Sequence, residues 1–430
     1  MQIKPGILYL SATLLTSDDT SCGSGTDSDQ DQFYACLGEP AVGDISCDCD
    51  DSNPAIYPGA LETDNNIDDD CDGSVEFRRY YDVYDTSFDF RGNSIPSVSG
   101  WGTMLVPAYG QPSVEFSLLG FELGRRSVVC LDGQTNNGDS IVVSPEGNVW
   151  FFGGDYDVDG GSRLCACQVR SDYSVVRSFI ISEPLSLSIH GNVFLGSGDI
   201  LKFGSENPPN TDRDALIMRV TQEGEVVWRK TFGGEHDDYF DSVVVDSNDN
   251  IYVTGPYCQT ASCPGTPVMS LSPDGTVRWE RQLGTSVKID NLIHMSNDDI
   301  VVLGRYAPNP LITRMTSDGV VLWTALSSLV GYSPFGLETL TGDIQVISYG
   351  SCGQQCSWTQ AARYSGDGRQ LWTREFVQEH DHPLGLVQLD TGDFIMTAYC
   401  DNAPLGCYVT PGILRFDNTF SNPPYQTQWP

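Results

Sequence analysis

Gly224-Glu-Val-Val-Trp-Arg-Lys-Thr-Phe-Gly-Gly-Glu-His-Asp-Asp-Tyr-Phe-Asp-Ser-Val-Val-Val-Asp-Ser-Asn-Asp-Asn-Ile-Tyr-Val-Thr-Gly255 contains three short runs in which apolar residues occupy every second position. Clusters of Gly, Asp and Asn, which favour turns, separate the runs. The stretch therefore predicts antiparallel strands joined by tight turns. The alternating residues are Val226 and Trp228, Val243 and Val245, and Ile251 and Val253.

The same sequence pattern recurs later in the chain. Glycine, tryptophan, a Glu-His-Asp triplet, valine and aspartate recur 144 positions downstream, at Gly368, Trp372, Glu379 to Asp381, Val387 and Asp390. A 44-residue register relates Gly275, Trp279, Asp299 and Ile300 to Gly319, Trp323, Asp343 and Ile344. A repeat of about 48 residues is typical of the four-stranded blades of a β-propeller.

One blade is predicted from the turn residues alone. Its strands are expected at Ser242–Val245, Ile251–Gly255, Val268–Ser272 and Val277–Leu283, with Pro273-Asp274-Gly275 as the last hairpin turn. A second-strand signature, in which Asn or Asp precedes apolar residues, begins at Asn148, Asn192, Asn250, Asp299, Asp343 and Asp393. We therefore predict an all-β chain with a six- to seven-bladed β-propeller over residues 139–430. Residues 77–138 are expected to connect to it, as an extra blade or as the strand that closes the ring.

These motifs resemble two families of repeats. The pattern from Phe232-Gly-Gly to Val253-Thr-Gly is similar to the SBBP repeat of bacterial secreted proteins. The Asp-Gly-x-Val-x-Trp segments, such as Asp274 to Trp279, resemble quinoprotein-like (PQQ-like) repeats. Both resemblances imply a β-propeller. Tryptophans at one offset in each blade are expected to pack between sheets, with a carbohydrate or quinone platform as the alternative.

Composition and the amino terminus indicate where the protein works. The chain has 23 Lys and Arg against 58 Asp and Glu, which disfavours binding to nucleic acid or to an anionic membrane. Residues 1–16 form a signal-like segment, and no segment has the length of a transmembrane helix. We predict an extracytoplasmic protein, secreted or associated with the cell surface or outer membrane. Cys22 is a candidate for a lipid anchor, although Asp19-Thr20-Ser21 lacks the residues of a lipobox.

Cysteine spacing supports that compartment. Three close pairs, Cys258 with Cys263, Cys352 with Cys356, and Cys400 with Cys407, each follow a predicted second strand. Disulfide-closed hairpins would explain the spacing, and buried free thiols are the alternative. Repeated pairs predict an oxidising environment.

Residues 17–76 are predicted to form a separate acidic module. From Ser17 to Phe77 there are 17 acidic residues and no Lys or Arg. Carboxylates at alternating positions of a tight turn converge as in calcium loops, whereas a solvated acidic tail is the alternative. Interleaved cysteines and the apolar Ile56 and Ile67 favour a compact module. The candidate metal ligands are Asp27, Asp29, Asp31, Asp48, Asp50, Asp51, Asp68, Asp70 and Asp72.

Part of this module resembles the metal-binding repeat named after copper-binding MopE proteins. The resemblance is carried by Cys49-Asp-Asp through Pro58-Gly-Ala-Leu-Glu62 and by Ile67 to Gly73. It departs from the repeat at Thr63-Asp64, where a cysteine is usual, and in the additional Cys47. The family name implies copper, but the module has no His or Met and its cysteines are expected to be oxidised, so it lacks the ligands that copper prefers. We therefore expect calcium.

Two further motifs are weaker. Asp155, Asp157 and Asp159 begin a second calcium-loop pattern, expected on the hairpin after Phe152, and a plain acidic turn explains them as well. Glu235-His236-Asp237 and Glu379-His380-Asp381-His382 could bind a metal or act as acid and base, but repeat-consensus loop residues are the simpler interpretation. His190 and His294 have no acidic neighbour that suggests a role.

These observations favour a non-enzymatic exported calcium-binding protein. Its propeller is expected to be a scaffold for an unknown protein or glycan ligand. The alternative is a propeller enzyme, either a quinoprotein-like oxidoreductase or a calcium-dependent hydrolase. Against the oxidoreductase, Cys165-Ala-Cys167 is not the adjacent cysteine pair expected of a quinoprotein. Both functions are inferred from fold resemblance rather than from a recognised site.

Overall fold

The computed structural model divides the chain into two compact units, Met1–Arg78 with Thr427–Pro430, and Arg79–Gln426. It describes residues 28–29, 50, 52–54, 56–57, 80–82, 97–99, 103–108, 111–117, 122–126, 128–129, 135–136, 140–156, 162–183, 186–208, 212–234, 236–256, 265–284, 287–306, 309–329, 331–351, 357–376, 381–390, 392–400 and 411–416. Every helix or strand in this described part is a β-strand.

The second unit contains seven four-stranded antiparallel sheets among its described residues, which we label A to G in chain order. β1 (Tyr80–Asp82) belongs to sheet G. Sheet A contains β2 (Ser97–Val98), β3 (Thr103–Ala108), β4 (Gln111–Ser117) and β5 (Glu122–Arg126). A two-stranded pair follows, β6 (Val128–Val129) and β7 (Thr135–Asn136). Sheet B contains β8 (Ser140–Val143), β9 (Val149–Tyr156), β10 (Ser162–Val169) and β11 (Val175–Glu183).

Sheets C to F repeat the same up-and-down order. Sheet C contains β12 (Ser186–Phe194), β13 (Ile200–Asn207), β14 (Asp214–Val220) and β15 (Val226–Phe232). Sheet D contains β16 (Ser242–Val245), β17 (Ile251–Thr254), β18 (Pro267–Leu271) and β19 (Val277–Gln282). Sheet E contains β20 (Lys288–His294), β21 (Ile300–Tyr306), β22 (Asn309–Met315) and β23 (Val321–Leu326). Sheet F contains β24 (Tyr332–Glu338), β25 (Ile344–Ser351), β26 (Ser357–Tyr364) and β27 (Gln370–Phe376).

Sheet G is built from both ends of the unit. It contains β28 (Asp381–Gln388), β29 (Phe394–Cys400) and β30 (Pro411–Phe416), and its fourth strand is β1. β1 runs antiparallel to β30, with Tyr80 opposite Leu414. Sheets B to F are each followed in the chain by the first strand of the next sheet, and between sheets A and B the β6–β7 pair intervenes. Because β1 leads on to β2, the step from sheet G to sheet A keeps this rule.

The predicted strands of sheet D agree with the observed ones to within one residue at each end. Five of the six second-strand signatures also precede second strands. The signature at Asn192 was wrong, because Asn192 lies in the first strand of sheet C and the second strand begins at Ile200. A polar residue followed by apolar ones fits either strand of this hairpin, so the pattern alone does not separate them.

The apolar core lies between the sheets. In the described residues, each buried apolar cluster combines side chains of two consecutive sheets, from A with B to F with G. Second and third strands are almost fully buried, as β17 and β18 show, whereas the fourth strand β19 is largely exposed. Each sheet therefore depends on its neighbours for most of its burial.

Fourth-strand tryptophans link successive sheets. The indole Nε1 of Trp228 donates to the carbonyl of Pro273, at 2.9 Å, in the last hairpin of the next sheet. Trp279 and Trp323 make the corresponding bond to the last hairpin of the sheet that follows each of them, to the carbonyls of Ser317 and Gly366, at 3.0 Å each. The predicted role of these tryptophans in packing between sheets is confirmed.

The hairpin that receives each tryptophan carries a glycine against the indole ring. Gly319 has φ +78°, and a Cβ there would lie 3.0 Å from the ring of Trp279. Gly368 has φ +88°, and a Cβ there would lie 2.6 Å from the ring of Trp323. Positive φ and close contact both require glycine at these positions. The Asp-Gly pairs of the sequence repeat therefore form the sockets for the tryptophans.

A further set of contacts ties the first hairpins together. Asp249 and Asp298 adopt positive φ in these hairpins, where other sheets use glycine. Asp298 accepts the N–H of Ser247 in the preceding hairpin at 2.9 Å, and Glu338 accepts the Ser296 hydroxyl at 3.0 Å. Because the carboxylates accept backbone or hydroxyl donors of the preceding sheet, they join neighbouring hairpins.

Replacing the socket glycine Gly368 by alanine tests the tryptophan contact. Gly147 has a comparable φ of +82°, but a Cβ added there would have no atom within 4 Å, so Gly147→Ala is the matched control. We expect Gly147→Ala to destabilise the protein by about 1 kcal/mol through its backbone conformation. Gly368→Ala should cost ~1–3 kcal/mol more, because its methyl group must displace the indole. Urea unfolding measures both, and equal losses would contradict the socket.

Candidate functional site

The sheets have two chemically different ends. Because adjacent strands are antiparallel, the hairpins joining first to second and third to fourth strands lie at one end, which we call the hairpin end. Connections between second and third strands, and those between sheets, lie at the other, which we call the loop end. The cysteine-rich segments 257–264 and 352–356 are such connections and lie outside the described residues.

First strands of three sheets bring polar side chains together near the loop end. β12 and β20 each carry a β-bulge at corresponding positions, occupied by His190 and Asp290. A bulge leaves one residue unpaired and redirects its side chain. Asp241 immediately precedes β16, the first strand of the sheet between them. β16 contacts both β12 and β20, so the three residues lie on neighbouring inner strands.

His190 and Asp241 form the centre of this group. The Nδ1 atom of His190 lies 3.1 Å from Oδ1 of Asp241, and the two side chains are 24% and 41% exposed. The ring of Tyr239 meets the imidazole edge-on, with 5.3 Å between centroids. Burial raises the pKa of Tyr239, and the Asp241 carboxylate adds to the rise, so its hydroxyl stays protonated at neutral pH. The pair thus combines an oriented imidazole with an accessible carboxylate.

Asp290 extends the group to sheet E. Its carboxylate receives two bonds from Arg305, from Nε at 2.9 Å and from Nη2 at 2.7 Å. Burial raises the pKa of Asp290 to about 6, although Arg305 opposes the rise, and Asp241 increases it further. We call His190, Tyr239, Asp241, Asp290 and Arg305 the inner-strand cluster. Chemically, it offers a carboxyl group that titrates near neutrality beside a His–Asp pair.

In the first Glu-His-Asp motif, the described residues are His236 and Asp237, and Asp237 has a structural role. Asp237 accepts both the backbone N–H and the guanidinium of Arg213, at 3.0 and 2.9 Å. The hydrogen bond from the Arg213 side chain lowers the pKa of Asp237. These bonds tie the connection between sheets C and D to the start of β14. They favour the interpretation of the motif as repeat-consensus loop residues.

His190 and His294, for which the sequence suggested no acidic partner, each lie beside an aspartate. His294 Nε2 lies 2.9 Å from Asp298, four residues away in the same hairpin, so the spacing could have indicated this pair. Asp241 is 51 residues from His190, and no local pattern connects them. The inner-strand cluster was therefore missed because it depends on contact between sheets.

In the first unit, the described residues include one turn of the acidic module. The Asp50 carbonyl accepts the N–H of Asn53 at 2.9 Å, and its Oδ1 accepts the Ser52 hydroxyl at 2.5 Å. The Asn53 carbonyl accepts the N–H of Ile56 at 2.9 Å, and Ile56 is only 1% exposed. A side-chain-closed turn beside a buried isoleucine is expected of a compact module.

The structure places three of the predicted metal ligands. Within the described residues, no group of three or more His, Cys, Asp or Glu side chains could hold a metal ion. Asp29 and Asp50 are described, and Asp155 lies in β9 opposite Arg163 rather than in the hairpin loop. The remaining predicted ligands, Asp27, Asp31, Asp48, Asp51, Asp68, Asp70, Asp72, Asp157 and Asp159, lie outside the described residues. Their role as ligands stays a prediction.

Comparison with known families assigns the motif of the first unit. Residues 48–76 match the Cu-binding MopE family, which is described as a metal-binding motif. The first unit carries a MopE-type metal-binding motif. The match covers a small part of the 430 residues, so it assigns this motif and not the whole chain. The chain matches no curated protein in sequence.

Comparison with solved structures concerns the sheets. Streptogramin B lyase matches with a TM-score of 0.51 and 13% identity, over 78% of this chain and 96% of that chain. A catalytically inactive variant of virginiamycin B lyase from Staphylococcus aureus, solved with quinupristin, matches with a TM-score of 0.50 and 13% identity, over 78% of this chain and 98% of that chain. These neighbours are β-propellers, and at this identity the likeness shows the fold alone. The described part has no helix long and apolar enough to span a membrane.

A buried lysine lies outside the inner-strand cluster. Lys202 of β13 is 1% exposed, donates to Asn192 Oδ1 at 2.9 Å, and lies 4.6 Å above the ring of Phe152. Burial lowers the pKa of Lys202 from 10.5 to about 8. Because its burial separates this amine from solvent, we interpret it as a structural residue. Its charge is a cost to the fold at neutral pH.

The pH dependence of unfolding tests this interpretation. The folded pKa lies below the unfolded value, so the unfolded state binds more protons between pH 8 and 10.5, and stability should rise with pH there. In Lys202→Met we expect that rise to disappear, with a gain of about 2–3 kcal/mol at pH 7, reduced by the lost bond to Asn192. Lys230→Met, at an exposed position, is the control. A rise that persists in Lys202→Met would show that another group causes it.

Proposed function

We propose that this chain is an exported, non-enzymatic protein in which a calcium-binding module precedes a seven-bladed propeller that serves as a binding scaffold. The MopE-type motif at residues 48–76 is the observation that carries the metal-binding part. The seven sheets, with β1 completing the last one, support a single closed ring. The partner, a protein or a glycan, would contact the loop end.

The chemistry of the available ligands favours calcium over copper. Residues 17–77 contain 17 acidic side chains and no His or Met. Carboxylate oxygens are the ligands that calcium prefers, whereas copper prefers imidazole, thioether or thiolate. The cysteines of the stretch, if oxidised as expected of an exported protein, would supply no thiolate. With no Lys or Arg in the same stretch, the carboxylates have no internal cation to offset their repulsion. Asp48, Asp50, Asp51, Asp68, Asp70 and Asp72 would hold the ion, within or beside the matched residues.

Export is supported by cysteine chemistry. Cys167, fully buried in β10, is disulfide-bonded, and stable disulfides are formed mainly outside the cytoplasm. The signal-like segment 1–16 and the close sequence spacing of cysteines, such as Cys258 with Cys263, are consistent with the same compartment. Surface association through a lipid on Cys22 remains part of the proposal.

Catalysis by the propeller is the second candidate function. It is favoured by the His190–Asp241 pair beside Asp290, because an oriented imidazole and a carboxyl group with a pKa of about 6 can exchange protons with a bound molecule. A hydrolase fits this pair better than a quinoprotein does. Hydrolysis of simple ester substrates that is lost in His190→Gln would support it.

Calcium binding by the full-length protein tests the main proposal. We expect equilibrium dialysis to detect bound calcium, and the triple change of Asp48, Asp50 and Asp51 to Asn to weaken it about tenfold or more by removing charged ligands. A matched control changes three exposed aspartates of the sheet hairpins, Asp172, Asp318 and Asp367, to Asn, which removes the same net charge. An equal loss of calcium affinity in both variants would show that the aspartates act only through nonspecific electrostatic attraction. If the protein bound copper and did not bind calcium, the ion of this module would be copper instead of calcium.

A further inference from the structure

We propose that the inner-strand cluster binds an organic cation, namely an ammonium or guanidinium group that enters from the loop end and pairs with Asp241. This inference deepens the proposed scaffold function, on which it rests, by naming the chemistry of the ligand. It follows from which charges of the cluster are already paired, from the aromatic surface beside Asp241, and from the accessibility of that carboxylate.

The arginines around the cluster are occupied. Arg305 makes two bonds to Asp290, and Arg213 makes two to Asp237. Asp241 has His190 as its partner within ion-pair distance among the described residues. Lys288, at the exposed start of β20, acts on Asp290 but is not ion-paired with Asp241 in this part of the chain. Asp241 is therefore the carboxylate of the cluster that a ligand cation can neutralise.

The geometry of Asp241 leaves room for that ligand. Its side chain is 41% exposed, and its bond to His190 uses Oδ1. Because an ionised carboxylate only accepts hydrogen bonds, the His190 ring donates through Nδ1 and holds the carboxylate in place by one of its two oxygens. The second carboxylate oxygen can then accept a hydrogen bond from an ammonium or guanidinium group, which strengthens the ion pair.

An aromatic ring adjoins the carboxylate. Tyr239 lies against His190, and the guanidinium of Arg213 lies 5.7 Å from the centre of the Tyr239 ring. The same ring thus already accommodates one organic cation at cation–π distance. A carboxylate beside aromatic rings is a combination that recognises alkylammonium and guanidinium groups. An anion would instead meet the carboxylates of Asp241 and Asp290.

A second His–Asp pair in the protein provides an internal comparison. At the hairpin end, Asp298 accepts the N–H and the hydroxyl of Ser247 in addition to bonding His294. Its oxygens serve contacts between sheets, and its side chain is 26% exposed. Two pairs of the same composition therefore differ in whether the carboxylate is used by the protein. The cation should bind at one pair and not at the other.

Histidine ring signals in the NMR spectrum of the full-length protein test the inference, because the chain has only five histidines. We expect N-acetyl-lysine methylamide to shift the His190 signal saturably, with a dissociation constant on the order of millimolar for one exposed ion pair with a cation–π contact. The His294 signal should not move. The neutral isostere N-acetyl-norleucine methylamide should leave both signals unchanged.

Asp241→Asn should weaken binding of the lysine analogue at least about fivefold, measured as the increase in its dissociation constant. The control Asp318→Asn removes an 80% exposed carboxylate at the hairpin end and should not change binding. An unshifted His294 signal verifies that each variant is folded, and if Asp241→Asn fails to fold, the comparison of lysine with norleucine in the unaltered protein decides. Equal binding of the two analogues, or no saturable shift, would overturn the proposal.

Two further ligands identify the source of the cation. Tighter binding of a lysine-containing peptide than of spermidine would indicate a protein partner, and the reverse would indicate a free polyamine. Either result supports the ammonium site. Because calcium dialysis reports on the first unit, failure of this site and failure of the calcium proposal give different results.

Discussion

The contact between a fourth-strand tryptophan and the hairpin glycine of the next sheet is the constraint on which the rest of the structure depends. Each sheet is too small to bury its second and third strands alone, so its stability comes from its neighbours. The indole supplies apolar area and one directed bond, as from Trp323 to the carbonyl of Gly366. Arg314 donates to the same carbonyl at 2.8 Å and is ion-paired with Asp299. Apolar contact and polar bonds therefore fix the same spacing between sheets.

The two ends of the sheets use their carboxylates differently. At the hairpin end, Asp249 and Asp298 replace glycine at positive φ, and their oxygens accept donors of the preceding hairpin. A backbone position that strains an ordinary side chain is tolerated there because the carboxylate gains these bonds. At the loop end, Asp241 remains accessible. Asp237 and Asp290 are paired with arginines at that end, so Asp241 is the carboxylate of the inner-strand cluster that is left for a ligand.

Sequence and structure agree where local chemistry sets the fold. The strands of sheet D could be predicted because turn residues such as Pro273-Asp274-Gly275 mark their ends, whereas Asn192 was misplaced because its pattern fits two strands of one hairpin. The inner-strand cluster could not be predicted, since hydrophobic periodicity locates strands but does not report a single unpaired residue. His190 and Asp290 become candidate site residues only because the fold brings Asp241, from the sheet between theirs, next to them. The acidic module is the reverse case, since its composition is evident while its ligand geometry rests on residues outside the described part.

Charge balance explains why the two units should respond differently to ions. Several carboxylates of the sheets lie beside arginines or accept amide and hydroxyl donors, as Asp290 and Asp298 do, so their charge is offset within the protein. In residues 17–77 no basic side chain of the same stretch can pair with the carboxylates, because the stretch has 17 acidic side chains and no Lys or Arg. Repulsion among them can be reduced only by protonation, by screening or by bound cations. A divalent ion is the most effective of these at neutral pH, so the order of that unit should depend on ions in a way that the sheets do not.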